Sequence, residues 1–194
     1  MTTVAAPKAE WPDLLTATQP IAELVADWSD PEWRALAYHE AGHAVAAVLL
    51  GIAISSVSIL PNADSFGRLK QGLDDPYVSL LRGAPLDEAG RRAIRAQVFM
   101  ACAGPAAEER LTGSRCRSDD GDGFPQVEML ELLEMSDDER EAELLALSNA
   151  DSEFVEHYWS VIETLAMGLL ERRVLSRRSV RKVVRRSLVA MRSY

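Results

Sequence analysis

Between Asp30 and Gly51 the sequence favours one helix and little else. Asp30 can cap it, Pro31 suits a first turn that needs no amide hydrogen, and Glu32 complements the positive end of the helix dipole. Leu36, Val45, Val48 and Leu49 supply an apolar face, and Gly51 is a natural stop. A strand-like segment follows at once. Ala53 to Leu60 (AISSVSIL) is β-branched and partly alternating, Pro61 to Asp64 reads as a turn, and Gly67 to Lys70 as the return strand.

The rest of the chain is read as helical. Asp87 is expected to cap a helix from Glu88 to about Ala103. Gly104-Pro105 is expected to break it, with Ala106 to Leu111 resuming as a separate segment. Ser114 to Gly123 is polar and glycine-containing, hence a loop. Ser136 and Glu139 form a capping box. Phe154, Ile162, Leu165, Leu169 and Leu170 mark a long amphipathic helix, and Ser176 caps a last, basic one. The fold class expected is mainly α (α+β), with one small β-hairpin or sheet next to the first helix. Residues 1–28 read as an N-terminal tail with a little helix near Ile21 to Trp28. Residues 29–194 read as a single domain, long enough to bury a core.

Charge is segregated along the chain. The net charge is −9. From Asp119 to Glu156 fourteen acids accompany one basic residue, Arg140, whereas from Arg172 onward nine basic residues meet no acid. These read as two solvated helical faces of opposite sign, or as a basic tail that docks an acidic surface. Aromatic residues are nearly absent there, which disfavours nucleic acid bound by base stacking. No secretory leader is visible, and the longest apolar run, Ala44 to Val57, is too short to span a bilayer. Cys102 and Cys116 cannot build a disulfide framework, so a reducing, cytoplasmic setting without membrane insertion is expected.

The first helix carries His39-Glu40-Ala41-Gly42-His43, an HExxH motif. Residues four apart share one helical face, so both imidazoles can reach one tetrahedral Zn²⁺. Glu40 lies further round the helix, where it suits a general base rather than a ligand. Zinc lowers the pKa of its water from about 15.7 to roughly 7, and the carboxylate can take the released proton and hand it to a leaving amine. Ala41, Gly42 and Ala44 leave room for metal and substrate. The third histidine, His157, sits beside Tyr158 and Trp159 and reads as a packing or surface residue. Such a site also accepts Co²⁺ or Mn²⁺.

Tyr38-His39-Glu40-Ala41-Gly42-His43-Ala44 resembles the active-site helix of the FtsH-type ATP-dependent zinc metallopeptidases. Val57-Ser58-Ile59-Leu60-Pro61 with Gly67 resembles that family's strand, turn and return strand. Ala103-Gly104-Pro105-Ala106-Ala107-Glu108-Glu109 resembles its Gly-Arg-x-Ala-Glu-Glu helix, with Pro105 in place of the arginine. Ile162 to Glu171, followed by Leu175, resembles its closing helices, so the likeness spans roughly residues 34–188. Neither a GxxxxGK[ST] loop nor a membrane-spanning segment accompanies it. The resemblance implies a third zinc ligand, an aspartate shortly after the Ala-Glu-Glu helix. Ungapped reading brings that position to Asp122, with Asp120 next, Asp119 also in the loop, and Cys116 a remote soft alternative.

The function expected is a zinc metalloendopeptidase acting on extended or unfolded polypeptide, with Gly67 to Lys70 as an edge strand that pairs with substrate backbone. A partner ATPase or homo-oligomerisation would supply what a lone peptidase domain lacks. The alternative is a non-catalytic metal-binding interaction domain retaining the peptidase fold. Retention of Glu40 argues against it, because a structural site needs ligands and no base. A metal-dependent hydrolase of another bond is the third reading, since an activated water is chemically general.

Overall fold

The computed structural model describes residues 30–61, 67–72, 75–114 and 125–191. Helix α1 (Pro31–Leu50) starts and stops where the sequence places its caps. The Asp30 carboxylate accepts the Glu32 amide at 2.9 Å, and Gly51 takes the left-handed conformation (φ 77°), donating its amide to Ala47. Strand β1 (Ile54–Ser58) follows, then β2 (Arg68–Gln71), α2 (Pro76–Leu81), α3 (Glu88–Thr112), α4 (Pro125–Glu131), α5 (Asp137–Arg172), β3 (Val174–Ser176) and α6 (Arg177–Met191). The expected class, mainly helical with one small sheet beside α1, is the observed one. The proposed helix near Ile21 to Trp28 lies outside the described residues, as does most of the turn between β1 and β2.

The sheet has three antiparallel strands in the order β2-β1-β3. Sequence reading finds the β1–β2 pair and misses β3, whose three residues are too few to show a period. Alternation along β1 is only partial, for a visible reason. Ile54 and Val57 are both buried although three positions apart, and a register shift between Ile54 and Ser56 resets the phase between them. Val57 then pairs with Leu69 on one side and Leu175 on the other.

One correction concerns the helices. Gly104-Pro105 does not break α3, which runs from Glu88 to Thr112 with Pro105 inside. Proline removes one amide donor and crowds the carbonyl four residues back. That local penalty is outweighed by packing on both sides of it: Ala103 and Ala107 are fully buried against α1. Helix α5 begins at the expected Ser136–Glu139 capping box and continues to Arg172, with a bend at Tyr158 (φ −101°, ψ 15°). Before the bend, Leu144 and Leu147 pack on a small core built from Tyr77, Ile94, Val98, Cys102, Leu130 and Leu133. After it, Val161, Ile162, Leu165 and Leu169 enter the main core with Ala37, Ala41, Val45, Val57 and Leu175.

Helices α1 and α3 approach so closely that Gly42 has no space for a side chain. A Cβ there would strike the Ala103 carbonyl oxygen and lie 2.9 Å from the Ala107 Cβ. One turn before Gly42, α1 is pinned to α5 by Tyr38, only 1% exposed, whose hydroxyl donates to Glu163 at 3.2 Å and whose ring lies 5.1 Å from Trp159. Burial pushes the Tyr38 phenol above its ordinary pKa. With one face locked by Tyr38, the face carrying His39 and His43 is turned towards α3.

Candidate metal centre and active site

Each histidine of the motif is held by its Nδ1. His39 Nδ1 lies 2.8 Å from Glu108 Oε2, and His43 Nδ1 lies 2.6 Å from the Met100 carbonyl oxygen. A carbonyl oxygen only accepts, so the hydrogen of the neutral His43 ring sits on Nδ1; an ionised Glu108 requires the same of His39. Both rings therefore present a lone pair at Nε2. Those two Nε2 atoms are 3.0 Å apart, with the ring planes at 79°. Two lone pairs at that separation repel unless a cation lies between them. Nitrogens bound to one tetrahedral zinc at about 2.0–2.1 Å stand about 3.3 Å from each other, so the pair fits a zinc ion with a small adjustment.

Helix α3 supplies both supports, one on each side of Pro105. Pro105 has no amide hydrogen for the Ala101 carbonyl, in the same stretch whose Met100 carbonyl accepts from His43. Gly104, beside the proline, faces the His43 ring directly. A Cβ on it would collide with Nε2 and lie within 2.7 Å of Cδ2. The missing side chain at Gly104 is therefore what gives the imidazole its place. Glu108, noted in the sequence only as part of a family-like helix, emerges as the residue that orients His39. Its signal was the spacing of that helix, which no local pattern ties to His39, 69 positions away.

Glu40 is 5% exposed and lies on the sheet side of α1. Gly67, at the entry to β2, sits against it: a Cβ at Gly67 would strike Glu40 Oε1 and lie 2.8 Å from Leu36 Cδ1. The carboxylate is thus placed beside the start of an edge strand whose outer side pairs with no described strand. At the other end of that strand, the Gln71 side-chain amide donates to Gln97 Oε1 at 2.6 Å, and Gln97 Nε2 donates to buried Asp75 at 3.3 Å. Asp75 also accepts the amides of Ala53 and Tyr77, so one buried carboxylate fixes β1, β2 and α2 relative to α3.

His39 and His43 converge at their Nε2 atoms, and Glu40 lies on the sheet side of the same helix, against Gly67. The third-ligand candidates Asp119, Asp120, Asp122 and Cys116 lie outside the described residues. Among the described residues no group of three or more His, Cys, Asp or Glu side chains is placed to hold a metal ion. His157 is exposed, its ring edge-on to Tyr158 at 4.6 Å, as a surface residue would be. No described helix is long and apolar enough to cross a membrane. No protein-family model matches the chain, and no curated protein matches it.

Proposed function

We propose that the chain is a zinc-dependent metallopeptidase that hydrolyses peptide bonds in extended or unfolded polypeptides, and that it is a peptidase domain of the FtsH type. The observation that carries the reading is the pair of Nε2 atoms 3.0 Å apart, each ring held through its Nδ1, beside a largely buried glutamate on the same helix. His39 and His43 would hold the ion, with Asp122 the favoured third ligand. Zinc bound there supplies a water acidic enough to react at neutral pH and a positive charge that polarises the scissile carbonyl.

The chain's own residues do the remaining work. Glu108 and the Met100 carbonyl fix both ring orientations, which keeps the Nε2 atoms converged before any ligand arrives. Glu40 takes the proton of the attacking water and returns it to the departing amine. The side of β2 that pairs with no described strand offers backbone amides and carbonyls to an extended substrate, which would add as a further strand and run past Glu40 at Gly67. Such pairing reads the backbone rather than side chains, which suits processing or quality-control proteolysis.

Glu40→Gln tests the assignment. The amide keeps the size and hydrogen-bonding capacity of the acid but cannot accept a proton at neutral pH. Zinc content and helicity should match wild type, while cleavage of an unfolded polypeptide should fall by about 10²–10⁴-fold. Equal cleavage by the two zinc-loaded proteins would remove Glu40 from the mechanism. A zinc-loaded wild type inert on unfolded substrates would favour the non-catalytic interaction domain.

A further inference from the structure

The two faces of the edge strand β2 differ in chemistry. A Cβ on Gly67 would point into Glu40, so that position faces α1, and Leu69 packs against the main core. The pleat then turns Arg68 and Lys70 to the opposite face, where both are exposed. Neither makes an ion pair among the described residues. Across the sheet their register partners are Ser58 and Ser56, and beyond those lie Val174 and Ser176. Among the described residues, the outer face of the sheet thus carries two cations and no acid. Asp64 and Asp74, which flank the strand in sequence, lie outside the described residues.

Cations on a sheet edge commonly serve to keep other strands from pairing with it. This edge begins against Glu40, so closing it to every strand would close the candidate site as well. A positively charged edge repels strands of like charge and admits strands of opposite charge. A strand added to β2 continues its pleat, so its side chains fall alternately on the two faces. Those on the outer face stand about 4.5–5.5 Å, Cβ to Cβ, from Arg68 and Lys70, close enough for a carboxylate to pair with each. Those on the inner face meet Leu69 and the Glu40 carboxylate, neither of which favours an acid. The segment that fits carries acids two residues apart with uncharged residues between them.

We propose that Arg68 and Lys70 select acidic substrate: polypeptide segments with Asp or Glu at alternate positions, laid along β2 with those acids on the outer face. Backbone pairing is blind to side chains, and the two cations add a charge preference to it. What then happens to the segment rests on the peptidase reading given above. The binding itself needs no catalysis, so the two can be tested apart.

Fluorescence anisotropy on the full chain carrying Glu40→Gln, loaded with zinc, reads binding without cleavage. The probes are labelled unstructured peptides in which Thr alternates with Glu, with Gln or with Lys. A fourth has the same Glu content in blocks of two, so that only one of any two neighbouring outer positions is acidic. The alternating Glu peptide should bind about tenfold tighter than the alternating Lys peptide, with Gln between them, and tighter than the block peptide. The spread should narrow near 1 M salt, where the screening length is about 3 Å. Adding Arg68→Glu/Lys70→Glu should invert the order of the Glu and Lys peptides, with unchanged circular dichroism. Adding Lys182→Glu/Arg186→Glu, which reverses exposed charges on α6, should leave the order as it was. A preference that follows the α6 reversal instead overturns the proposal. So do equal affinities for the Glu and Lys peptides, or no binding of any peptide at low salt. Cleavage by zinc-loaded wild type separates the two claims. Equal rates on the Glu and Lys peptides overturn the charge preference and leave the peptidase reading standing. Ordered binding without any cleavage upholds the preference and removes the peptidase reading.

Discussion

The α1–α3 seam and the outer face of α5 and α6 are both helical surfaces, yet their residues are constrained in opposite ways. At the seam, positions are decided by contact distance. Gly42 admits the Ala103 carbonyl and the Ala107 methyl, Gly104 admits the His43 ring, and Gly67 admits the Glu40 carboxylate across the adjoining sheet. On the outer face, positions are decided by charge and period, and single side chains stand in solvent. Three glycines close to one another therefore need not share a role. What each makes room for separates them: backbone at Gly42, the His43 ring at Gly104, the Glu40 carboxylate at Gly67.

That separation can be broken by experiment, and the largest effect is expected at Gly104. In Gly104→Ala the new Cβ meets the end of a side chain, so the fold can yield by turning His43 away from Met100. Zinc affinity, followed by competition with a chromophoric chelator, should drop about 100-fold or more while helicity is kept. Wild-type affinity would show that the ring has room to spare, and the contact would lose its meaning.

Gly67→Ala should leave zinc binding intact and strike the chemistry instead. Its Cβ displaces the Glu40 carboxylate, and a misplacement of the order of 1 Å at a reacting group costs about 10²-fold in rate. Steady-state cleavage of an unfolded polypeptide, read beside zinc content, distinguishes this from Gly104→Ala. Loss of zinc in Gly67→Ala would merge the two roles.

Gly42→Ala is expected to act on the fold. The Cβ meets backbone and a buried methyl that cannot rotate away, and overpacking of this kind costs typically about 1–3 kcal/mol. Alanine's better helix propensity returns at most about 1 kcal/mol. Thermal unfolding should shift downward by about 2–4 °C per kcal/mol of net loss. A stabilised variant would mean that α1 and α3 can slide apart at little cost.

The smallest effect belongs to the outer face. Arg181→Ala removes an exposed cation that has no partner among the described residues, so stability should change by less than about 0.5 kcal/mol. A larger loss in chemical denaturation would show that α6 is anchored through its charges, and the contrast between the two regions would fail.

Legibility follows the same division. The caps of α1, α3 and α5 were readable because Asp30, Asp87 and Ser136 bond to amides two or three residues away. His39, Glu40 and His43 were readable because four residues make one turn. Pro105 misled, since a local rule about proline was overruled by burial of Ala103 and Ala107 on both sides of it. Strand β3 and the bend at Tyr158 carried no signal: one is too short for a period, and the other depends on two cores that α5 must serve at once.

Everything set within a turn or two of chain was therefore legible in consecutive residues: the helix caps, the two histidines on one face, the glutamate beside them, and the charge segregation. Only the tertiary structure decided that the Nε2 atoms converge to 3.0 Å, because that requires Glu108 and Met100 to arrive from another helix. It also decided that Gly67 meets Glu40 and that Leu145 and Met167 are left exposed. The physical reason is range. Hydrogen-bonded turns and caps are short-range and written in consecutive residues, whereas close packing between distant segments depends on shapes that no local pattern records.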